Sequence, residues 1–459
     1  MKIKKYILKT LALFTLVLSM LCLNSCGGND SDDLLPISIL SIKANGAPLV
    51  DGAINIPVNS VFEVAFSSEI MPSKFEGLVS LSAGSTMVFF TVVYSNLSSK
   101  ATITTSQLEA EILYTLSISS GEIGSNGALL QNSTSISFST NIGKTPCTSA
   151  TNDCIQSLQV PNNSGIQFNL DMYSNYDFID DTQFVYNSIT QIVIVVHGLE
   201  RNANDYFSYM TSSLQSLNMQ ENTLLISPFF KDNTAAASND LYWDTRWREG
   251  ANSGNATASI SSFTVIDALI EKIVSSGNFP DLSTVFITGH SSGAAFVQHY
   301  ALANKAENTY SNLKFEYIVA NNQYYYYPDG LRYNESSQQF ETPSMCSGYT
   351  FWPYGFEFST PYLDGIAQSV LTEQQVTRST TYLLGSNDTS TTGSLNTADC
   401  QATLLGSNRL KRGENMYLYM QTYFGATNKH QKIIVNNVGH DGNAMYNSTE
   451  FKQYLTDNQ

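Results

Sequence analysis

The chain has 459 residues, which is too long for one average domain, and 42% of them are hydrophobic, which is enough to form buried cores. Its formal net charge at pH 7 is -16. This acidic balance argues against nucleic acid as a partner and against electrostatic binding to anionic lipid. We therefore expect two folded units preceded by a targeting segment.

The first 25 residues have the pattern of a signal peptide, in which several lysines precede an almost wholly apolar run over residues 11–23. That run is short for the roughly 20 residues that cross a bilayer, so an uncleaved anchor is the less favoured alternative. Residues 23–28, which include Cys26, resemble the lipobox of bacterial lipoproteins. The resemblance implies cleavage before Cys26 and lipidation of that cysteine.

Residues 26–36 are small, polar and acidic, and they predict a flexible tether. Its aspartates resemble the acidic tag that sends some Gram-negative lipoproteins to the cell surface. We expect the chain to touch a membrane only through its N-terminal lipid. The expected location is the bacterial outer membrane, at the cell surface or in the periplasm.

Residues 37–142 predict an all-β sandwich, because short strand-like runs alternate with Gly, Asn, Pro and Ser and no clear helix occurs. The predicted strands are residues 37–42, 61–66, 87–94, 101–105, 114–118 and 136–138. Residues 64–71, 114–118 and 126–128 resemble bacterial Ig-like domains. That resemblance implies a spacer or a binding module, and we favour a spacer.

Residues 143–163 contain two prolines and a run of Asn and Ser, and they predict a linker. In an oxidising compartment, the four cysteines after Cys26 favour disulfides. We expect Cys147 to pair with Cys154 within the linker, and Cys346 with Cys400 in the second half of the chain; free buried thiols are the alternative. No motif indicates a metal site or a cofactor.

Residues 164–459 alternate apolar strands with amphipathic helices, which predicts a doubly wound, mainly parallel sheet and thus an α/β fold. Residues 166–170 and 183–186 predict the opening strands, and residues 192–196 form a continuous apolar run that ends at His197 and Gly198. A helix at 204–217, a strand at 223–226 and a helix capped by Ser261 or Ser262 follow.

Residues 284–303 predict a strand, a sharp turn and a helix. The turn carries GxSxG at residues 289–293, which in this context favours a nucleophile elbow with Ser291 as the nucleophile. The alternative is an ordinary turn serine.

The strand predicted at residues 315–320 leads into a segment, at about 324–375, in which 13 of the 39 residues from Tyr324 to Tyr362 are aromatic. Because this segment leaves the carboxyl end of a sheet strand, it predicts a lid or substrate platform over the site. A local aromatic core is an equally favoured alternative, and the two are compatible.

Two later strands end at polar residues that suit a catalytic triad. Residues 380–384 lead to Asp388, with Asp399 as the reserve candidate in the same loop, and residues 432–435 lead to His440. The chain order of serine, acid and histidine is the one expected of this fold.

From residue 192 to the end, the chain resembles the α/β-hydrolases, and more narrowly a poorly characterised secreted branch. The resemblance implies a Ser/His/Asp hydrolase whose oxyanion hole uses the N–H groups of Ser292 and of Leu199, or less favourably Gly198. We expect an exported serine hydrolase that acts on a small-molecule or polymeric ester, either as a carboxylesterase or as a depolymerase. The motifs are residues 247–250, 261–263, 289–293, 319–321, 382–385 with Asp388, and 438–441.

A peptidase remains open among enzymes. Outside that class, the chain could be a catalytically inactive surface lipoprotein that binds glycan or polymer, or an adhesive protein that acts through its Ig-like part. The oligomeric state cannot be inferred from these patterns.

Overall fold

The computed structural model describes residues 35–105, 108–140, 145–179, 185–186 and 188–459. The predicted signal peptide, Cys26 and most of the predicted tether lie outside these residues. The chain divides into two compact units between residues 141 and 142. Nowhere in the described ranges is there a helix of the length and apolarity needed to cross a membrane.

The first unit is a sandwich of two five-stranded sheets, which confirms the predicted all-β class. Its strands alternate buried and part-exposed residues, so Phe62 and Val64 from one sheet and Leu116 and Phe138 from the other share one core. In spatial order the first sheet contains Ala47–Pro48, Ile39–Ala44, Val61–Phe66, Lys100–Thr105 and Phe90–Ser95, and the second contains Ala53–Ile56, Thr134–Thr140, Leu113–Ile118, Val79–Ala83 and Thr86–Met87.

The sequence did not predict three elements of this unit. They are the strands Ala53–Ile56 and Val79–Ala83 and the one-turn helix Pro72–Glu76. Ala53–Ile56 lies at a sheet edge, and none of its residues is fully buried, so it lacks the clear alternation of a half-buried strand. The helix begins at a proline, whose fixed backbone angle suits a first helical position.

The second unit is built on one eight-stranded sheet, in the spatial order β1-β2-β4-β3-β5-β6-β7-β8. The strands β1 and β2 pair antiparallel, as do β2 and β4, and all other neighbours pair parallel. This is the strand order of the α/β-hydrolase fold, and it confirms the predicted class. The strands are β1 (Ile155–Pro161), β2 (Gln167–Ser174), β3 (Gln191–Val196), β4 (Thr223–Pro228), β5 (Thr284–His290), β6 (Lys314–Ala320), β7 (Thr380–Gly385) and β8 (His430–Val435).

Helices cover both faces of this sheet, because successive side chains of each central strand point in opposite directions. On β3, Ile192, Ile194 and Val196 pack into one helical layer, while Val193 and Val195 pack into the other. The first layer contains Ser262–Ser275, Ser292–Ala303, Gln368–Thr377 and Arg409–Phe424, and the second contains Ala203–Ser216, Gly442–Tyr446 and Thr449–Asp457. Further short helices are Ala306–Thr309 and Cys400–Thr403, and single 3-10 turns occur at Asn152–Cys154, Trp247–Glu249, Pro361–Leu363 and Gly425–Thr427.

The predicted linker at 143–163 is wrong over its second half. Residues Ile155–Pro161 form β1, which pairs with β2 along its whole length and buries Leu158 and Val160. Polar residues between these two apolar positions and the proline at the strand end hid the pattern; a proline is tolerated there because β1 is an edge strand. Of the predicted strand at 183–186, residues 183–184 lie outside the described residues, and 185–186 are not in a strand.

Both disulfides have the predicted partners, Cys147 with Cys154 and Cys346 with Cys400. The second bond joins the aromatic segment to the loop that follows β7. Within the aromatic segment, Tyr325, Tyr326 and Tyr327 are fully buried against the sheet, and a hairpin of Arg332–Asn334 and Gln339–Glu341 follows. The start of this segment is therefore aromatic core.

Candidate active site

A strained serine stands between β5 and the helix Ser292–Ala303. Ser291 has φ 58° and ψ -114°, a conformation that a non-glycine residue adopts only when its surroundings enforce it. Those surroundings are tightly packed: a Cβ on Gly293 would lie 2.2 Å from the Val196 carbonyl oxygen, and one on Gly289 would lie 2.3 Å from the Gly293 backbone. The two glycines therefore permit the turn that presents the Ser291 hydroxyl at the carboxyl end of the sheet.

Ser291, His440 and Asp388 form one hydrogen-bonded row. The Ser291 Oγ lies 2.9 Å from His440 Nε2, and His440 Nδ1 lies 2.8 Å from Asp388 Oδ2. The three residues follow β5, β8 and β7, whose carboxyl ends meet at the same edge of the sheet. Asp388 is buried, while about a quarter of the His440 side chain is exposed. The arrangement can pass a proton from the hydroxyl to the imidazole beside a buried carboxylate.

The reserve acid, Asp399, is elsewhere in the same loop. It is exposed, stands at the start of the helix Cys400–Thr403, and accepts a hydrogen bond of 2.8 Å from Asn396 Nδ2. Asp388 is instead fixed through its backbone, because its N–H donates to Gly385 and its carbonyl accepts from Leu410. The structure thus brings Asp388, and not Asp399, to the imidazole.

Ser291 and His440 open into a cavity of about 340 Å³ that also contains the three expected oxyanion donors, Leu199, Gly198 and Ser292. Ser292 is the first residue of its helix, where an N–H has no partner within the helix. Burial raises the pKa of Tyr206, and a hydrogen bond from the Gly198 backbone opposes that rise. Because Gly198 is engaged in this way, the geometry favours Leu199 over Gly198 as the second donor.

The loop that carries Leu199 is held by His197, a fully buried residue. The Phe230 N–H donates to His197 Nε2 at 3.0 Å, so the proton is on Nδ1, which donates to the Gly198 carbonyl at 2.9 Å. Burial lowers the pKa of His197 to about 4, so the ring is neutral at pH 7. This matches the structural role expected for His197.

A second buried imidazole lies behind the first. The ring of His290 is 4.6 Å from the ring of His440, and His290 Nδ1 lies 3.2 Å from the Tyr206 hydroxyl. Burial lowers the pKa of His290 well below its usual value, and the charges of His440 and Arg409 lower it further. A neutral ring therefore packs against the general-base candidate.

Asn321, at the end of β6, links the two loops that carry the acid and the base. Its Oδ1 accepts from the Gly385 N–H at 2.8 Å, and its Nδ2 donates to the Gly439 carbonyl at 3.0 Å. Gly439 directly precedes His440, and Gly385 ends the strand before Asp388. The side chain thus fixes the separation of these loops.

Sequence reasoning missed Tyr206, Arg409 and the position of His290 beside His440. Tyr206 and Arg409 are far from the triad residues along the chain, and no spacing rule connects them. His290 was visible only as the variable residue of GxSxG. The pair of charged residues at 409 and 412 on a helix was the one available signal, since buried arginines on a helix require partners.

The predicted aromatic lid does not line the cavity at Ser291. The nearest aromatic residue of that segment is Tyr324, which packs under the Arg248 guanidinium at 4.5 Å. Arg248 in turn lies 3.4 Å from the Ser292 hydroxyl. The segment thus supports the site from behind, because its tyrosines are buried as core.

In the described parts of the chain, no three His, Cys, Asp or Glu side chains are grouped so as to hold a metal ion. Acidic side chains nevertheless stand at the cavity, where Glu200 and Asp441 contribute to its lining.

Comparison with known proteins identifies the first unit: residues 45–140 match the family of bacterial Ig-like domains. No curated protein matches the chain. Among solved structures, the poly(3-hydroxybutyrate) depolymerase LpqC of Bordetella parapertussis is 18% identical, with a TM-score of 0.46 over 66% of this chain and 91% of its own. Poly(aspartic acid) hydrolase-1 of Sphingomonas sp. KT-1 is also 18% identical, with a TM-score of 0.45 over 66% and 97%.

An S-formylglutathione hydrolase of Staphylococcus aureus is 15% identical, with a TM-score of 0.36 over 66% of this chain and 97% of its own. These identities are low, and the strand order of the sheet defines the fold of the second unit independently of them. The chain therefore contains a bacterial Ig-like domain at residues 45–140, followed by a domain with the α/β-hydrolase fold.

Proposed function

We propose that the chain is an exported serine hydrolase that cleaves an ester by acyl transfer. Ser291 is the nucleophile, His440 the general base and Asp388 the triad acid. The observation that carries this proposal is the unbroken row of hydrogen bonds from the hydroxyl through the imidazole to the carboxylate. A nucleophile, its base and the group that orients the base are the parts that acyl transfer requires.

In the first half of the reaction, Ser291 Oγ attacks the ester carbonyl carbon while its proton moves to His440 Nε2. Asp388 accepts the hydrogen bond from Nδ1 and stabilises the imidazolium that forms. The N–H groups of Ser292 and Leu199 donate to the developing oxyanion. The alcohol then leaves with the proton of His440, and the acyl group stays on Ser291.

In the second half, water gives a proton to His440 and attacks the acyl carbon. The tetrahedral intermediate collapses, the carboxylic acid departs, and Ser291 recovers its proton from the imidazole. The cavity is open to solvent on one side, which suits the access of water and of an extended substrate. The substrate is a small-molecule or polymeric ester.

Labelling of the full chain with a fluorophosphonate probe tests the proposal. Wild type is expected to be labelled, and Ser291→Ala to be unlabelled and to lose at least about 10,000-fold in turnover of a p-nitrophenyl ester. Ser336→Ala changes an exposed serine of the hairpin turn and serves as the matched control, with full labelling.

A folded wild type that resists the probe would refute the proposal and would favour an inactive lipoprotein that binds glycan or polymer. If wild type is labelled, a panel of esters with graded acyl length, together with a peptide substrate, distinguishes a carboxylesterase or depolymerase from a peptidase. Undiminished turnover by Ser291→Ala would instead remove Ser291 from the mechanism.

A further inference from the structure

The carboxylate of Asp388 is buried with one oxygen unsatisfied by hydrogen bonds. Its side chain is 1% exposed, and Oδ2 accepts from His440 Nδ1. Among the described residues, Oδ1 has no hydrogen-bond partner. A buried carboxylate in this state is expected to take up a proton unless a nearby positive charge opposes it.

Arg409 provides that charge. It is the first residue of the helix Arg409–Phe424, and its Nη1 lies 3.8 Å from Asp388 Oδ1, with only 2% of its side chain exposed. Its Nη2 donates to the Ser394 hydroxyl at 3.0 Å. The next residue, Leu410, donates its N–H to the Asp388 carbonyl, so the backbone of this turn is fixed to the acid loop.

The ion pair is independent of other acids in the described structure. Every ion pair found for Arg409 is with Asp388, whereas its helical neighbour Arg412 donates to three backbone carbonyls and forms no ion pair. Burial lowers the pKa of Arg409, and the charge of Asp388 opposes that change. Both groups therefore depend on each other to remain ionised inside the protein.

Few titratable or charged groups face this pair. Ser291 and the neutral His290 face His440, and Asp388 faces His440 and Arg409. The remaining neighbours with an electrostatic influence on this pair are Tyr324, Tyr325 and Arg412.

We propose that Arg409 is a positioning residue that keeps Asp388 ionised and thereby sets the pH at which His440 becomes an active base. This rests on the proposed function, in which His440 must be unprotonated. When the Asp388–His440 pair takes up a proton, the base is lost, whichever of the two residues carries it. A cation beside the pair disfavours that uptake, so its removal raises the apparent pKa of the pair.

The experiment is a pH profile of kcat/KM for Arg409→Gln on an ester that wild type cleaves. Loss of a charge within about 4 to 6 Å moves a pKa by about one to three units, so the acid limb is expected to move at least about one pH unit upward. Activity near pH 7 then falls about tenfold and recovers toward wild type as the pH rises. Arg409→Lys keeps the cation and is expected to keep most of the wild-type profile.

Arg412→Gln is the matched control, because this arginine is equally buried on the same helix but has no acid partner in the described structure. It is expected to lower stability without moving the acid limb. In the Asp388→Asn background, Arg409→Gln is expected to have no further effect on the profile. An acid limb that stays in place in Arg409→Gln, or moves equally in Arg412→Gln, would overturn the proposal.

The midpoint of the His440 imidazole, measured by NMR in wild type and Arg409→Gln, separates this proposal from the proposed function. The chain has five histidines, and His440→Gln assigns the signal. If wild type shows no hydrolase activity, the proposed function fails, and an unshifted midpoint then refutes the role of Arg409 as well. If Arg409→Gln does not fold, the comparison of Arg409→Lys with the double variant Arg409→Gln/Asp388→Asn, which retains neither charge, decides.

Discussion

Two aspartates of one loop, Asp388 and Asp399, show how burial separates a reactive carboxylate from a solvated one. Asp388 contacts the imidazole from a buried position, while Asp399 is exposed and bonds Asn396. We predict that Asp388→Asn lowers kcat by about 10,000-fold, because the imidazole then loses the anion that fixes its tautomer. Asp399→Asn is expected to change kcat by only a few fold. Steady-state kinetics on one ester checks both, and equal losses would show that the loop rearranges on substrate binding.

Four of the five histidines are buried, and burial lowers the pKa of each of them: His197, His290, His299 and His430. For His197 and His430 the lowered pKa is about 4, against about 6.5 in an unfolded chain. Between these values the unfolded state binds more protons than the native state, so stability falls as the pH falls. Each of these two residues accounts for up to about 3 kcal/mol of that loss by pH 4.

We predict that the second unit loses stability steadily between pH 6.5 and pH 4. Urea unfolding followed by tryptophan fluorescence measures it selectively, because Trp243, Trp247 and Trp352 all lie in that unit. His430→Asn is expected to be less stable than wild type at pH 7 but to have a shallower pH dependence, by up to one proton. A pH-independent free energy of unfolding over this range would contradict the assignment of neutral buried imidazoles.

At this scale the sequence predicts residues whose roles follow from local motifs. Ser291 and His440 could be selected because a motif or a strand end defines each one. The partners of these residues could not be selected, because Arg409 and Asn321 act through side-chain contacts made across the sheet. Such contacts depend on which loops meet in space, and a single sequence carries no spacing signal for them.

At the scale of elements, the turn at Ser291 depends on close backbone approach rather than on side-chain contacts. A Cβ on Gly293 would meet the carbonyl oxygens of Val196 and His197 at 2.2 Å and 2.6 Å. We predict that Gly293→Ala lowers the free energy of unfolding of the second unit by more than about 2 kcal/mol, since the helix must move away from β3. The same movement separates Ser291 from His440, so turnover falls as well.

Gly439→Ala is the matched control for the elbow, because the nearest atom to its added Cβ lies at 3.6 Å and its backbone is outside the left-handed region. Its free energy of unfolding is expected to stay within about 1 kcal/mol of wild type. Urea unfolding followed by tryptophan fluorescence compares the two variants. Equal stability of Gly293→Ala and Gly439→Ala would mean that the elbow tolerates a side chain.

Elements with a strong local pattern were predictable, and elements defined by their neighbours were not. The strands β3 and β5 are continuous apolar runs because both faces of a central parallel strand are buried. The strand β1 has only two fully buried apolar residues, and its pairing with β2 defines it. The aromatic segment at 324–375 was ambiguous for a similar reason, because composition does not say which side of a tyrosine faces the core.

At the scale of the whole molecule, the two units have separate hydrophobic cores. The sandwich core is formed by residues from 37 to 138, while the cores around the sheet of the second unit begin at Leu158 and Val193. The composition change near residue 142 predicts this division, since strand-like runs give way to alternating strands and helices. What the sandwich contributes to function does not follow from its composition, because its strands carry no catalytic grouping.

All residues of the proposed triad and oxyanion hole belong to the second unit. We therefore predict that a chain beginning at residue 142 keeps kcat/KM for a soluble p-nitrophenyl ester within about threefold of the full chain, because no described catalytic contact is removed. Residues 35–140 alone are expected to resist the fluorophosphonate probe. Tryptophan fluorescence verifies that the shortened chain is folded before its kinetics are compared.

Hydrolysis of an insoluble polyester by the same two chains distinguishes the two roles considered for the Ig-like domain. A spacer leaves the rate on the polymer in solution unchanged when it is removed, because it adds no contact with substrate. A binding module raises the local concentration of the enzyme at the polymer surface, so its removal lowers that rate while the soluble ester is cleaved as before. Loss of activity on the soluble ester by a folded shortened chain would contradict the assignment of the whole site to the second unit.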